Sequence, residues 1–462
     1  MVFSSAIFLF GFLPIVLFAY YAISSLRYKN SLLLIASLFF YSWGEPVNVF
    51  VMLLSIVVNW GLAILIQKYQ NKNLTQNVLF ILSICFNLGL LFYFKYIDFF
   101  IENFNSLFLS NIAKTGVALP IGISFFTFQA LSYTIDVKRN RIPVQRNLLN
   151  LGLYISFFPQ LIAGPIVRYI DIKEQIQKRS FDFQKFNEGC LRFMTGFSKK
   201  ILIADQLAPY IGKIFALHGI SAPSAWLGAI TFSLQIYFDF SGYSDMAIGL
   251  GKMFGFDFLE NFNYPYISKS AKEFWRRWHI SLSQWFRDYI YIPLGGSKVG
   301  KHRLIANLFV VWFLTGFWHG ASWNFIFWGL YYFTFLVLER SFWGRILEKT
   351  SRTIQHIYTI LVFLIGWIFF REDSLKDAFY YIQNLFTINE NVWIDFIYFI
   401  DEKMIFCTLV GILFSTPIVP LVKKKFGKKA EITFTGLTYT TFLIAITFLL
   451  GAGFSPFLYF RF

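Results

Sequence analysis

The amino-acid sequence predicts an all-α, polytopic membrane protein. Three observations lead to this fold class: an apolar composition, a series of apolar runs long enough to cross a bilayer, and a regular alternation of basic loops. Of the 462 residues, 56% are hydrophobic and only 14% are charged, whereas a soluble domain usually carries about 25% charged residues. So large an apolar surface cannot be buried in a water-soluble core of this size.

Apolar runs that span, or nearly span, a bilayer recur along the chain. A full crossing needs about 20 residues, and the runs predict about 11–13 membrane segments. No internal repeat is visible, so we expect a single integral-membrane domain over residues 1–462. The first run has no basic region before it and no cleavage site, and it is expected to be retained. The runs lie at 2–23, 31–43, 47–66, 77–97, 117–136, 149–167, 201–217, 224–250, 304–318, 321–338, 355–370, 404–421 and 432–452.

One run is interrupted in a way that predicts a special backbone. The stretch FFPQLIAGPIVR (157–168) carries Pro159, Gly164 and Pro165. Non-helical backbone at membrane depth persists only where protein or a water-filled cavity satisfies its polar groups. We therefore expect a re-entrant segment here.

The distribution of Lys and Arg predicts the orientation. The formal net charge is +16, and the basic residues concentrate in alternate loops, which the positive-inside rule places in the cytosol. This places the N-terminus outside and brings the basic loops to the anionic lipid head groups of the cytosolic face. Nucleic-acid binding is excluded because no binding fold accompanies the charge. The basic set comprises Arg27 and Lys29, Lys68 and Lys72, 138–146, 168–200, 269–303, 340–352 and 423–429.

Several classes of chemistry have no support in the sequence. Cys85, Cys190 and Cys407 are far apart, so neither a disulfide framework nor a metal site is predicted. The chain also lacks a P-loop, an H-E-x-x-H and a G-x-S-x-G motif. ATP-driven transport and serine-nucleophile chemistry are therefore disfavoured.

Of the five histidines, His319 is the first candidate for chemistry. It lies in FLTGFWHGASWNFIFWG between two apolar runs, beside Trp323 and Asn324. An ionisable residue within the membrane is a functional-site hypothesis, and neutral imidazole is a suitable base near pH 7. The alternative is an interfacial histidine in an aromatic belt. His218, His302 and His356 are more simply solvated or interfacial residues.

His279 is the second candidate, within AKEFWRRWHISLSQWFRDYIYIPLGG (271–296). On one continuous helix, five large side chains would form one apolar face and Arg276 would lie outside it. One interpretation is an amphipathic helix at the cytosolic surface, with Arg on phosphates and Trp in the interface. The apolar face comprises Trp275, Trp278, Leu282, Trp285 and Phe286.

Two carboxylates form a third polar feature. Asp239 and Asp245 lie in the apolar run IYFDFSGYSDMAIGLG (236–251). Carboxylates in such a run need a partner, such as an arginine, a tyrosine hydroxyl or a water-filled cavity. We regard both as candidate substrate-binding residues.

Taken together, these motifs resemble one family, the membrane-bound O-acyltransferases. The resemblance is to the bacterial branch that O-acetylates alginate and peptidoglycan. It covers most of the chain in family order, and the match at 273–296 is highly specific. The motifs that carry it are SFFTFQALSYTIDVKR (124–139), FFPQLIAGPIVR (157–168), FDFSGYSDMAIGLG (238–251), EFWRRWHISLSQWFRDYIYIPLGG (273–296), FWHGASWNFIFWG (317–329) and PFLYFRF (456–462).

The resemblance implies a fold and roles. The fold is a ring of transmembrane helices around a funnel, with short cytosolic and re-entrant helices. The membrane-embedded histidine of the family falls on His319 and the second histidine on His279. Acetyl-CoA is the implied acyl donor, with no bound cofactor, and a polyanionic donor would be attracted by a basic cytosolic mouth. Candidate substrate-binding residues are Arg276, Arg277, Trp275, Trp278, Trp323, Asn324, Asp239 and Asp245.

Three functions remain open from the sequence. The first is O-acetylation of an envelope polysaccharide, completed by a periplasmic partner of the SGNH, esterase-like type. The second is D-alanyl transfer from a carrier protein. The third is a non-enzymatic transporter or scaffold whose aromatic motifs serve packing. In the first, His319 either deprotonates a hydroxyl or takes the acyl group itself.

Overall fold

Helices make up the regular structure of the chain. The computed structural model describes residues 1–217, 219–387, 394–452 and 457–458. These ranges contain α-helices, short π-helical and 3₁₀ turns, and no strand, which confirms the predicted all-α class. The chain divides into two compact units, Met1–Phe193 with Met246–Leu259, and Met194–Asp245 with Glu260–Phe462. That the chain is a single domain stays a prediction.

The first unit contains the N-terminal helices. A π-helical turn, Ile7–Phe12, leads into α1, and a second, Phe92–Tyr96, joins α4 to α5. Helix α12 and helix α10 contribute residues to both units. The helices are α1 (Leu13–Ala22), α2 (Leu26–Ser42), α3 (Val49–Lys68), α4 (Asn73–Leu91), α5 (Ile97–Phe108), α6 (Ile123–Lys138), α7 (Leu148–Ser156), α8 (Phe158–Leu161), α9 (Tyr169–Gln177) and α10 (Phe183–Lys199).

The second unit carries both candidate histidines. Short helices α13 and α14 precede the long pair α15 and α16. The remaining helices are α11 (Asp205–Ala216), α12 (Ala222–Met253), α13 (Ala271–Arg277), α14 (Ile280–Phe286), α15 (Lys301–His319), α16 (Trp323–Arg340), α17 (Phe342–Lys349), α18 (Arg352–Arg371), α19 (Leu375–Asn384), α20 (Ile394–Phe399), α21 (Glu402–Phe414), α22 (Ile418–Phe426) and α23 (Lys428–Ala452).

Each predicted apolar run overlaps one or more of these helices. Within the described ranges, four helical stretches are long and apolar enough to cross a membrane: Val49–Lys68, Asn73–Phe108, Arg352–Arg371 and Lys428–Gly451. The pair α21 and α22, bent by 61°, adds a fifth if it forms one broken span. The other runs form helices that are shorter or carry more polar residues. The structure is that of a multi-pass membrane protein, and the number of crossings stays a prediction.

The interrupted run 157–168 has the irregular backbone expected of it. One helical turn, α8, is followed by turns and extended chain, and residues 157–167 are buried. The Phe158 amide donates to Ser37 Oγ at 3.1 Å, and the Tyr154 hydroxyl donates to the Val167 carbonyl at 3.2 Å. Neighbouring protein groups therefore satisfy polar groups of the broken backbone, as the membrane environment requires.

Candidate active site

Helices α15 and α16 form a closely packed hairpin that fixes His319 at its turn. His319 is the last residue of α15, and three residues separate it from the start of α16. A Cβ at Gly316 would overlap the Phe325 carbonyl oxygen, and a Cβ at Gly329 would overlap that of Trp312. Only glycine allows this approach of the two backbones.

The His319 ring lies in an aromatic enclosure. Its centroid is 4.9 Å from the Trp328 ring, 5.3 Å from Phe370 and 4.9 Å from Trp318, all in edge-to-face geometry. The side chain is 4% exposed. The ring is therefore enclosed by protein side chains, and its role in chemistry stays a prediction.

The segment around His279 is not the continuous helix that its spacing predicts. The chain leaves α13 at Trp278, and His279 adopts the left-handed conformation (φ 44°, ψ 55°) before α14 begins. Such a backbone is unfavourable for a residue with a Cβ and marks a locally imposed geometry. The surface-helix interpretation is wrong, because both sides of the break are buried. The predicted apolar side chains Trp275, Trp278, Leu282, Trp285 and Phe286 are each at most 8% exposed.

Asn261 determines which ring nitrogen of His279 carries the hydrogen. The Asn261 Oδ1 atom accepts the Ser281 amide at 3.2 Å and the Ser281 hydroxyl at 2.9 Å. An amide N–H can only donate, so this atom of Asn261 is the oxygen. It lies 3.1 Å from His279 Nδ1. His279 Nδ1 is therefore the N–H donor, and Nε2 of the neutral ring holds the lone pair.

The Nε2 atom of His279 is buried and available for a proton. His279 is 1% exposed, and its Nε2 has no hydrogen-bond partner in the described part of the chain. Burial lowers the pKa of His279 to about 3, since desolvation disfavours the charged imidazolium. The ring is therefore neutral at pH 7 and its lone pair can accept a proton, although the lowered pKa makes it a weaker base than an exposed imidazole.

The two histidines share a neighbour, Trp318. The Trp318 ring centroid is 6.3 Å from that of His279 and 4.9 Å from that of His319. The Phe240 ring closes over His279 at 4.8 Å. Two histidines that are 40 residues apart in sequence thus belong to one buried aromatic cluster of the second unit.

Other candidates from the same segments have different surroundings. Trp275 contacts the rings of Trp312, Tyr332 and Trp328, the last of which contacts His319. Arg277 pairs with Glu273 at 2.9 Å, and Arg276 is exposed. Arg276 is thus the more accessible of the two to a polyanion.

Trp323 and Asn324, which follow His319 in the sequence, differ in their exposure. Trp323 is 56% exposed, whereas Asn324 is 2% exposed. Asn324 Nδ2 donates to the Glu372 carbonyl at 2.6 Å. This bond ties the start of α16 to the end of α18, the helix that supplies Phe370 to the His319 enclosure.

The two carboxylates of α12 pair with lysines, a partner that the sequence did not suggest. Asp239 Oδ1 lies 2.7 Å from Lys200 Nζ, and Asp239 Oδ2 accepts the Leu458 amide at 2.8 Å. Asp245 pairs with Lys199 at 2.6 Å. A role for either in substrate binding stays a prediction.

Two of the three remaining histidines have surroundings that the structure describes. His302 is exposed, His356 Nδ1 is 3.1 Å from the Ser268 carbonyl oxygen, and His218 lies outside the described residues. Where the chain is described, no three His, Cys, Asp or Glu side chains are arranged to hold a metal ion.

Asn261 and Phe240 are the site residues that sequence reasoning missed. Asn261 precedes His279 by 18 residues in a loop without periodicity, so no local pattern connects them. The sequence offers only a general indication of such a residue, because a buried histidine needs an acceptor for one ring N–H. Several asparagines in the chain could supply it.

Comparison with known proteins identifies the family. The model of the MBOAT, membrane-bound O-acyltransferase family, matches residues 53–371, a range that contains both histidines and Asn261. The chain belongs to this family. It is therefore an acyltransferase, and the non-enzymatic transporter or scaffold is excluded.

Two of the relatives cover most of the chain, and a third covers less than half of it. A probable alginate O-acetylase of Azotobacter vinelandii is 44% identical over 394 residues, 84% of this chain and 79% of the relative. A peptidoglycan O-acetyltransferase of Helicobacter pylori is 35% identical over 84% of this chain and 80% of the relative. A teichoic acid D-alanyltransferase of Bacillus subtilis is 33% identical over 46% of this chain and 56% of the relative.

Proposed function

We propose that this acyltransferase takes acetyl groups from cytosolic acetyl-CoA and passes them across the bacterial inner membrane to O-acetylate a cell-envelope polysaccharide. The observation that carries the proposal is the buried cluster in which His279 and His319 share Trp318 as a neighbour. The relatives that acetylate alginate or peptidoglycan support the acetyl group and the polysaccharide acceptor.

The proposed chemistry uses a neutral imidazole as base. As the acceptor oxygen attacks the thioester carbon, its proton moves to the imidazole. The C–S bond then breaks, and the proton passes from the imidazolium to the leaving thiolate. The free, buried lone pair of His279 Nε2 supports such a role. His319, enclosed nearby, is the second proposed catalytic residue, either as base or as acceptor of the acetyl group.

A periplasmic partner of the SGNH, esterase-like type is part of the proposal. It would receive the acetyl group and complete its transfer to the glycan. The N-terminus would face the periplasm, and the basic loops, including exposed Arg276, would face cytosolic acetyl-CoA. The carrier-protein alternative has weaker support, because the D-alanyltransferase resembles less than half of the chain.

Turnover of labelled acetyl-CoA by the purified protein in nanodiscs tests the function. We expect CoA release that His279→Ala and His319→Ala each lower by about 100-fold or more, the usual contribution of a positioned acid–base group. His302→Ala is the matched control, since His302 is exposed, and should keep full activity. Full activity in both active-site variants would contradict the proposed chemistry, and D-alanyl transfer without acetyl-CoA turnover would contradict the proposed donor.

A further inference from the structure

A basic cleft in the first unit has no part in the chemistry above. It is lined by Tyr20, Tyr21 and Lys29, by residues 179–182 and Lys185, and by Lys252, Phe254 and Gly255 at the C-terminal end of α12. Four cationic side chains, Lys29, Arg179, Lys185 and Lys252, reach this one space.

Two of the four cations are neutralised within the protein. Lys185 pairs with Asp257 at 2.6 Å and Lys252 with Glu188 at 2.7 Å. Lys29 and Arg179 form no ion pair with a carboxylate among the described residues. The carboxylate of Asp182 also lines the cleft, and its Oδ1 accepts the Lys185 amide at 3.1 Å.

Arg179 is held in place by neutral partners. Its guanidinium donates to the Tyr20 hydroxyl (3.3 Å), the Gln175 carbonyl (2.7 Å) and Asn30 Oδ1 (2.6 Å), and it lies 4.2 Å above the Phe256 ring. A guanidinium has five N–H groups, so two are left for another ligand. Burial lowers the pKa of Arg179, and an anion would offset this desolvation.

Lys29 is held by aromatic rings instead of carboxylates. Its Nζ lies 4.8 Å from the Tyr20 ring and 5.7 Å from the Tyr21 ring. A cation–π contact uses no oxygen acceptor, so the ammonium group keeps N–H donors for an anion. The cleft therefore offers two positioned cations without paired carboxylates.

The position of the cleft indicates the source of the anion. Tyr20 and Tyr21 end α1, and Lys29 lies in the first turn of α2, so the cleft is at the ends of two apolar helices. Tyrosines and basic residues at such ends are typical of the membrane–water interface. Phospholipid phosphate lies at this depth. We propose that this cleft binds the phosphate group of a membrane phospholipid through Arg179 and Lys29.

Native mass spectrometry of the full chain in neutral detergent tests the proposal. The protein is titrated with phosphatidylglycerol, with phosphatidylcholine, and with phosphatidylglycerol in the presence of inorganic phosphate. We expect a saturable phosphatidylglycerol site that Lys29→Gln and Arg179→Gln each weaken about 10-fold or more, as for a lost hydrogen bond to a charged group. Inorganic phosphate should compete only weakly, because it lacks the acyl chains.

Matched variants distinguish lipid binding in the cleft from attraction of lipid by surface charge in general. Arg27 is exposed and does not line the cleft, so Arg27→Gln should bind as the wild type does. Lys29→Gln removes no side-chain hydrogen bond seen among the described residues, and it keeps the test valid if Arg179→Gln misfolds. Equal weakening of lipid binding by Arg27→Gln, or unchanged lipid binding by Lys29→Gln, would overturn the proposed site. Competition by inorganic phosphate as strong as that by lipid would reassign the cleft to a soluble phosphate compound.

Discussion

The side-chain oxygen of Asn261 lies 3.1 Å from Nδ1 of His279 and simultaneously accepts both donors of Ser281. This arrangement assigns the hydrogen of the ring to Nδ1. Asn261 does not need to contact a substrate in order to influence the reaction. It is a positioning residue in the proposed reaction, since it acts through the imidazole of His279.

Replacement of Asn261 by aspartate should change the pH dependence of activity. The wild-type His279, with a pKa of about 3, is neutral throughout pH 5–8 and gives no acid limb there. A carboxylate beside Nδ1 favours the imidazolium and raises its pKa by about 1–3 units. The base is then lost as pH falls, so Asn261→Asp should lose activity toward pH 5 while the wild type does not. Rates of CoA release over pH 5–8 measure this.

Two further variants make the pH experiment specific. Asn261→Leu removes the acceptor and should lower kcat with little change in KM for acetyl-CoA, because the acyl donor loses no contact. Asn263→Asp, at an exposed asparagine two residues away, should leave the pH profile unchanged. Identical profiles for the wild type and an active Asn261→Asp would remove Asn261 from the proposed mechanism.

The glycine contact between α15 and α16 should not tolerate a methyl group. Gly329→Ala would place a Cβ against the Trp312 carbonyl and force apart the hairpin that ends in His319. Overpacking typically costs about 1–3 kcal/mol, so we expect a lower unfolding temperature and a lower rate of CoA release. Thermal unfolding in detergent, followed by light scattering, gives the first quantity. Gly436→Ala in α23 meets nothing within 4 Å and should unfold like the wild type.

Loss of the buried ion pair of Lys200 should destabilise the protein far more than loss of an exposed ion pair. The side chains of Lys200 and Asp239 are 2% and 3% exposed. Lys200→Met would leave the carboxylates of Asp239 and Asp205 without their shared cation, which for a buried pair costs about 3–5 kcal/mol. Lys185→Met breaks the pair with Asp257, which is 59% exposed, and should cost at most about 1 kcal/mol. Similar unfolding temperatures for the two variants would contradict this ranking.

Glu372, directly after α18, should make stability fall as pH rises. Burial raises the pKa of Glu372 to about 7 in the folded protein, against an ordinary value near 4.3. Between these two values the unfolded chain ionises first, so folding stability decreases and is lowest above pH 7. Glu372→Gln should therefore raise the unfolding temperature at pH 8 more than at pH 5. Glu348→Gln, at an exposed glutamate that is not among the groups acting on the pKa of Glu372, should show no such difference.

The sequence predicted the helices better than it predicted the site. Apolar runs located the helical segments because burial in lipid demands hydrogen-bonded helix over each run. His279 and His319 were identified from residue type and position. The break at His279 was not predicted, because the aromatic spacing of 275–286 fits a continuous helix and the left-handed residue is imposed by long-range contacts. The same reason applies to Asn261, whose partners lie about 20 residues away, and to Lys200, which meets Asp239 only after folding.

The bond between Asn261 and His279 also makes the tautomer of the ring depend on folding. The two residues are 18 positions apart in the sequence, so their contact forms only when the segment between them has folded. In an unfolded chain the neutral imidazole exchanges its two tautomers and titrates near its ordinary pKa. The defined tautomer of His279 is therefore a property of the folded protein and not of the residue alone.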